Sequence, residues 1–225
     1  MKKNIVFLMV IVSTFKATAQ DSTHSITAVG LDVLQGLPLM AIYPMNVQRA
    51  IIIEPSLYLT TRDAGKLVML SAGYVNVKQS DQDRLIQTVS GIYAKFGIVY
   101  QPSAFFWGYN GVLSYYKMSG VIKIKGIYFP DFQTNIPSDS GFGIGAEFFG
   151  GLDVKLSSSL SLRMALRNGF HLTQVGEPAS FYVAGGGLRS SSFIANVTFS
   201  LDSSIQLFYT INTPTKKRSI HDIYR

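Results

Sequence analysis

In the segment 141-GFGIGAEFFGGLDVKL-156, residues two apart sort into chemically opposite sets. Phe142, Ile144, Ala146, Phe148, Gly150, Leu152, Val154 and Leu156 hold one parity; Gly141, Gly143, Gly145, Glu147, Gly151, Asp153 and Lys155 hold the other. Side chains two apart share a face of a β-strand. The segment therefore reads as a long strand with an apolar face backed by glycines and charges. In 91-GIYAKFGIVY-100, Ile92, Ala94, Phe96, Ile98 and Tyr100 oppose Gly91, Tyr93, Lys95, Gly97 and Val99. In 105-FFWGYNGVLSYYK-117, Phe105, Trp107, Tyr109, Leu113 and Tyr115 oppose Gly108, Asn110 and Ser114. In 193-FIANVTFSL-201, Phe193, Ala195, Val197, Phe199 and Leu201 oppose Asn196, Thr198 and Ser200.

The segment 160-LSLRMALRNGFHLT-173 tests the strand reading against a helix. Arg163 and Arg167 are four apart, which also suits one face of a helix. A helix would scatter Leu160, Leu162, Met164, Leu166 and Phe170 around its axis, whereas a strand aligns them with Leu172. Ser161, Arg163, Ala165, Arg167, Gly169 and His171 then share the opposite face. The stretches 26–34, 49–60 and 67–77 are noisier but compatible, bringing the expected strands to eight.

Strands with an outward apolar face belong in lipid, and the composition agrees. The chain is 47% hydrophobic and 15% charged, with 15 Phe, 12 Tyr and 20 Gly; soluble domains average about 25% charged residues. The N-terminus, MKKNIVFLMVIVSTFKATAQ, carries Lys2 and Lys3, an apolar run from Ile5 to Val12 and the small-x-small site Ala17-Thr18-Ala19. It reads as a secretory signal over 1–19, too short to span a bilayer. Removing it takes away Lys2, Lys3 and Lys16, so a net charge of +7 falls to +4, too little to argue for nucleic acid. No later stretch approaches the roughly 20 apolar residues of a spanning helix, and a closed barrel is the other structure that leaves no backbone group unpaired in lipid. With no cysteine, the chain is no disulfide scaffold.

The connections support the same expectation. TRDAGK (61–66), QPSA (101–104) and SSS (157–159) are short and rich in turn formers, while 35–48, 78–88, 118–140 and 174–190 are long. Alternating short and long links place both termini at the short-turn, periplasmic end. The expected fold is all-β: an eight-stranded antiparallel transmembrane up-and-down barrel over 20–201, followed by a periplasmic tail over 202–225. Within that tail, Ile205–Ile211 has the composition of a further short strand.

An eight-stranded barrel is only wide enough for its own side chains. The parity assigns Asp32, Glu54, Lys95, Glu147, Asp153, Lys155, Arg163, Arg167 and His171 to its interior, four acids and four bases beside the histidine. Desolvated charges are tolerated when paired and hydrogen-bonded, so these residues are expected to form an ion network. Phe105, Phe106, Trp107 and Tyr109 at one end of their strand and Tyr115 and Tyr116 at the other read as interfacial girdles. The link 118–140 carries an apolar and aromatic tip with Tyr128, Phe129 and Phe132, which suggests a partner surface, and VIKIKGIYF extends a hairpin towards it. The histidines, His24, His171 and His221, are far apart in sequence, so no metal and no cofactor is expected. A catalytic alternative would use His171 with a neighbouring acid or with Ser138 or Ser140.

The ending ATAQ, the opening 29-VGLDVLQGLPLM-40, 54-EPSLYLT-60 and the run of hairpins resemble the small outer-membrane barrels of Bacteroidota. OmpA-type barrels are similar in architecture and in balanced interior charge. The resemblance implies a non-enzymatic outer-membrane barrel, structural or accessory, in contact with lipid and lipopolysaccharide, with other outer-membrane proteins as candidate partners. A lipid A deacylase-like enzyme and a secreted lipocalin-like carrier are the alternatives.

Overall fold

The computed structural model describes residues 26–32, 46–61, 65–81, 85–124, 126, 130–173, 182–194 and 197–211. The expected signal segment, Tyr128, Phe129 and the basic end of the tail lie outside them. Among the described residues there are ten strands: β1 (Ile26–Asp32), β2 (Asn46–Thr60), β3 (Lys66–Asp81), β4 (Leu85–Tyr100), β5 (Phe105–Ile124), β6 (Phe132–Lys155), β7 (Leu160–Thr173), β8 (Tyr182–Val183), β9 (Gly187–Ile194) and β10 (Val197–Thr210). Strands β1 to β7 pair antiparallel in chain order, β10 pairs β7, and β1 pairs β10. Eight strands thus close a barrel, with β8–β9 as an additional hairpin.

The alternation sorts inside from outside. Ile92, Phe96, Leu113, Phe142, Phe148 and Leu166 are each at least 60% exposed, whereas Glu54, Lys95, Glu147 and Arg163 on the opposite parity are at most 2% exposed. Phe106 and Tyr116 were expected among the girdle aromatics. They are inside, because they share the parity of Gly108 and Ser114.

The turn end is tied together by backbone hydrogen bonds. Gly65 adopts a left-handed φ of 76°, and its carbonyl accepts from Gln101 N at 2.7 Å. Leu156 N and Ser157 N both donate to Leu160 O at 2.9 Å, and Thr210 N donates to Ser159 O at 2.8 Å.

Three expectations need correction. The last strand is Val197–Thr210, so the barrel does not stop at 201, and residues 202–210 lie in the wall instead of a tail. The polar run Asp202-Ser203-Ser204 resembles a turn, but Asp202 and Ser204 face an interior that is itself polar. The link 78–88 is mostly strand, since β3 and β4 pair as far as Asp81–Leu85. The link 174–190 contains a hairpin: β9 lies along Val197–Leu201 of β10, while β1 lies along Gln206–Thr210.

Strands β5 and β6 run to an Ile124–Phe132 pair, past the end of β7 and two residues past the last β4–β5 pair, Leu85–Ile122, so the expected hairpin extension is present as far as Ile124. The β6–β7 pairing ends at Gly143–Thr173, leaving Phe132–Phe142 without a neighbour on that side among the described residues. Proline and bulges blunt such an edge against strand addition. Here Pro137 coincides with a register shift opposite Ser119.

Ending the chain after Leu201 removes the β1–β10 pairs and most β7–β10 pairs, whereas ending it after Ile211 leaves both intact. On semi-native gels, the shorter product is expected to lose the fast-migrating folded band and the longer one to keep it.

Candidate functional site

Halfway along the bore, every strand of the ring delivers a polar side chain to one layer. Its hub is Glu54 of β2, 0% exposed. Ser71 Oγ donates to its Oε1 at 3.1 Å and Tyr93 OH to its Oε2 at 3.0 Å. Lys95 Nζ lies 3.0 Å from Oε2. Arg167 Nη1 donates to both oxygens, at 3.2 and 3.3 Å, and its Nη2 donates to Asp32 Oδ2 at 2.8 Å. Lys95 also bridges to Glu147, at 3.2 Å to Oε1 and 3.1 Å to Oε2. Asp202 of β10 is fully buried directly opposite Arg167, and Asn110 supplies the β5 member. A guanidinium between Asp32 and Glu54 and an ammonium between Glu54 and Glu147 is charge-assisted pairing of the strong kind.

A second cluster lies nearer the turn end. Arg163 Nε donates to Asp153 Oδ2 at 3.2 Å, Gln101 Nε2 donates to the same oxygen at 2.6 Å, and Arg163 Nη2 donates to Gln101 Oε1. The guanidinium carbon sits 3.3 Å from the ring centre of Phe208, 5.0 Å from Phe106 and 5.1 Å from Tyr58, within cation–π range. Tyr58 OH donates to Gln206 Oε1 at 2.9 Å, and Gln206 Nε2 donates to Ser56 Oγ at 3.3 Å.

Apolar layers flank the ionic one. Towards the turns lie Ala28, Tyr58, Met69, Val99, Phe106 and Phe208; towards the loops lie Ile52, Val75, Val77, Tyr93, Tyr116 and Ala184. Ala184 belongs to the turn Ala184–Gly186 between β8 and β9, which is buried in the bore. Gly185 has a φ of 79°, and a Cβ there would meet Val112 and Tyr93 at 2.9 Å. His171, 1% exposed, is walled by Gly145, Gly169 and Gly186, where any Cβ would strike its ring. The void beside Arg163 and Arg167 is about 20 Å³. That is room for roughly one water.

Of the residues expected inside, Asp32, Glu54, Lys95, Glu147, Asp153, Arg163, Arg167 and His171 are buried. Lys155 is not: it is the last residue of β6, and its exposed position lies past the end of the bore. With Lys155 outside and Asp202 inside, four acids against four bases become five against three, His171 aside. Gln101, Asp202 and Gln206 were missed because they lie in a turn or beyond the expected last strand. Tyr93 and Ser71 were legible, sharing the inner parity of Lys95 and Val75.

On the outside, Phe105, Trp107, Tyr109 and Tyr115 are 40–50% exposed. Trp107 stacks on Tyr100 with ring centres 4.3 Å apart, Tyr109 lies 6.4 Å from Phe148, and Tyr115 lies 5.0 Å from Phe142. Eight residues of strand separate Trp107 from Tyr115, about 27 Å along the chain and roughly 20 Å along a barrel axis at a tilt of about 40°. That approaches the ~25 Å apolar band of a membrane barrel. Phe132 is 52% exposed at the hairpin tip. No group of three or more metal-ligating side chains is found among the described residues.

These observations define a closed eight-stranded antiparallel barrel with an apolar exterior and a filled, ion-paired interior. No family model matches the chain, and no curated protein matches it. Among solved structures the chain is similar to Neisserial surface protein A, at 12% identity over 84% of this chain and 100% of that one, with a TM-score of 0.41. It is likewise similar to the β-domain of the Bordetella autotransporter BrkA, at 10% identity over 84% and 100% of the two chains, with a TM-score of 0.41. At such identities the likeness is one of fold.

Replacing Arg167 with Met strands Asp32 in the bore and leaves Glu54 sharing Lys95 with Glu147, and removing one partner of a buried pair costs about 3–5 kcal/mol. Urea unfolding in micelles is expected to show that loss for Arg167→Met. Adding Asp32→Asn and Glu54→Gln to it should restore part of the stability by removing the uncompensated charges.

Proposed function

We propose that the protein is a non-enzymatic barrel of the bacterial outer membrane, structural or accessory in role, that meets lipid with its wall and other envelope components with its loop end. The observation that carries this reading is the outer surface. Ile53, Tyr74, Ile92, Tyr115 and Phe142 form one continuous cross-strand row over five strands, each 43–65% exposed. Exposed apolar surface on this scale is unfavourable in water and suited to hydrocarbon. The interior supports a structural role, because paired charges and packed side chains occupy it where a channel would hold water.

The alternatives find less support. A lipocalin-like carrier needs a ligand cavity in its bore, which here holds Glu54, Lys95 and Arg167. A lipid-modifying enzyme using His171 needs lipid to reach it. That imidazole is enclosed by glycine backbone and the buried Ala184–Gly186 turn, while Ser138 and Ser140 are exposed on the protruding part of β6.

Expressed with its N-terminal segment, the protein is expected in the outer-membrane fraction, resistant to carbonate washing and heat-modifiable on gels. Release as a soluble protein by osmotic shock would overturn the proposal. Reconstituted into planar bilayers, it should give no steps of ionic conductance, whereas steady channel openings would contradict a filled bore.

A further inference from the structure

Arg49 and Lys78 are directly opposed on neighbouring strands. Both point outward, because Ala50 and Ile52 on β2 and Val77 and Gln79 on β3 hold the inward parity. Like charges directly opposite each other destabilise a sheet. Nothing else among the described residues offsets them: neither cation, nor Lys117 nearby, has a carboxylate within ion-pairing distance. Asp131 and Asp139 on the protruding hairpin accept from the backbone N–H groups of Gly126 and Ser140.

The position of these cations is specific. They lie in the two rows loopward of Ile53–Tyr74–Ile92–Tyr115–Phe142. The next row in register is Ile51–Asn76–Ser90–Lys117–Ser140, and the one beyond begins Arg49–Lys78–Thr88–Ser119. Polarity therefore changes over four residues, from large apolar side chains to hydroxyls, an amide and three cations. Asn76 Nδ2 donates to Tyr74 OH at 3.3 Å across that step. At this level the wall leaves hydrocarbon and meets headgroups.

We infer that Arg49, Lys78 and Lys117 form an outward-facing site for the phosphate groups of a lipid in the leaflet around the loop end, with its acyl chains against Ile53, Tyr74 and Ile92. A phosphate between Arg49 and Lys78 turns like-charge repulsion into two charge-assisted contacts, and the planar guanidinium engages it through two N–H groups. Lys117, two strands from Lys78, reaches the same headgroup or a second phosphate on it. A phosphorylated glycolipid such as lipid A carries the chemistry that fits. The inference rests on the outer-membrane reading above.

The test uses the full chain in phosphatidylcholine nanodiscs with or without lipid A, beside the variant Arg49→Gln/Lys78→Gln/Lys117→Gln. Each cation at a membrane surface contributes about a fivefold factor, so the triple variant should retain lipid A on the order of a hundredfold less tightly by native mass spectrometry. Thermal unfolding gives a second readout with a change of sign. Without lipid A, the variant should equal or exceed the wild type, because a repulsion is gone; with lipid A, only the wild type should gain. Equal retention by both proteins would overturn the inference. So would equal stabilisation of the wild type by inorganic phosphate, which would mark a generic anion site. Both proteins should keep the heat-modifiable band and the membrane fraction. Loss of those in the wild type would instead count against the outer-membrane reading, so the two failures are distinguishable.

Discussion

Glu54 sits in a bore too narrow to hydrate it, and much of the structure follows from that. Moving a carboxylate from water into such a place costs several kcal/mol even after relaxation. The charge is tolerated because Ser71, Tyr93, Lys95 and Arg167 converge on it from three other strands. Arg167 and Lys95 in turn bind Asp32 and Glu147 from two more. A one-residue slip between any two of these strands would carry a charge to the apolar outer face and an apolar residue into the ionic layer. The charges therefore specify the register of the wall together with the hydrogen-bond ladder. The apolar layers above and below keep water from competing for them.

The bore is filled by matching sizes around that layer. Where the His171 ring needs room, Gly145, Gly169 and Gly186 supply it. The Ala184–Gly186 turn enters from the loop side and completes the upper apolar layer against Tyr93 and Val112. On the turn side, Arg163 lies against Phe208, Phe106 and Tyr58, so its charge is met by ring faces as well as by Asp153. The three layers together account for a sealed interior without any single plugging domain.

The eight strands of the ring, their antiparallel order, the short turns and most of the interior charges were legible from parity, because the pattern has a strict period of two and a one-sided chemistry. Asp32, Glu54, Lys95, Glu147, Arg163 and Arg167 were all recognisable as interior in this way. The full extent of the final strand was not, because Asp202-Ser203-Ser204 reads locally as a turn. Its polarity makes sense only beside Arg167, which lies 35 residues earlier in sequence. Lys155 failed for the converse reason: its parity is correct, but it lies beyond the end of the bore, and parity carries no information on height.

The sequence by itself determined which face of each strand is the apolar exterior and which residue types must be hidden, since both follow from local alternation and the cost of leaving a charge unpaired. Tertiary structure decided which charge pairs with which, that the last strand continues through Thr210, and that a turn from the final long link fills the upper bore. It also decided that Arg49 faces Lys78 on the outer wall, a juxtaposition across 29 residues of chain. Those outcomes depend on register between strands and on the closure of the ring. Both are set by many weak interactions acting together, and neither is written in any one segment.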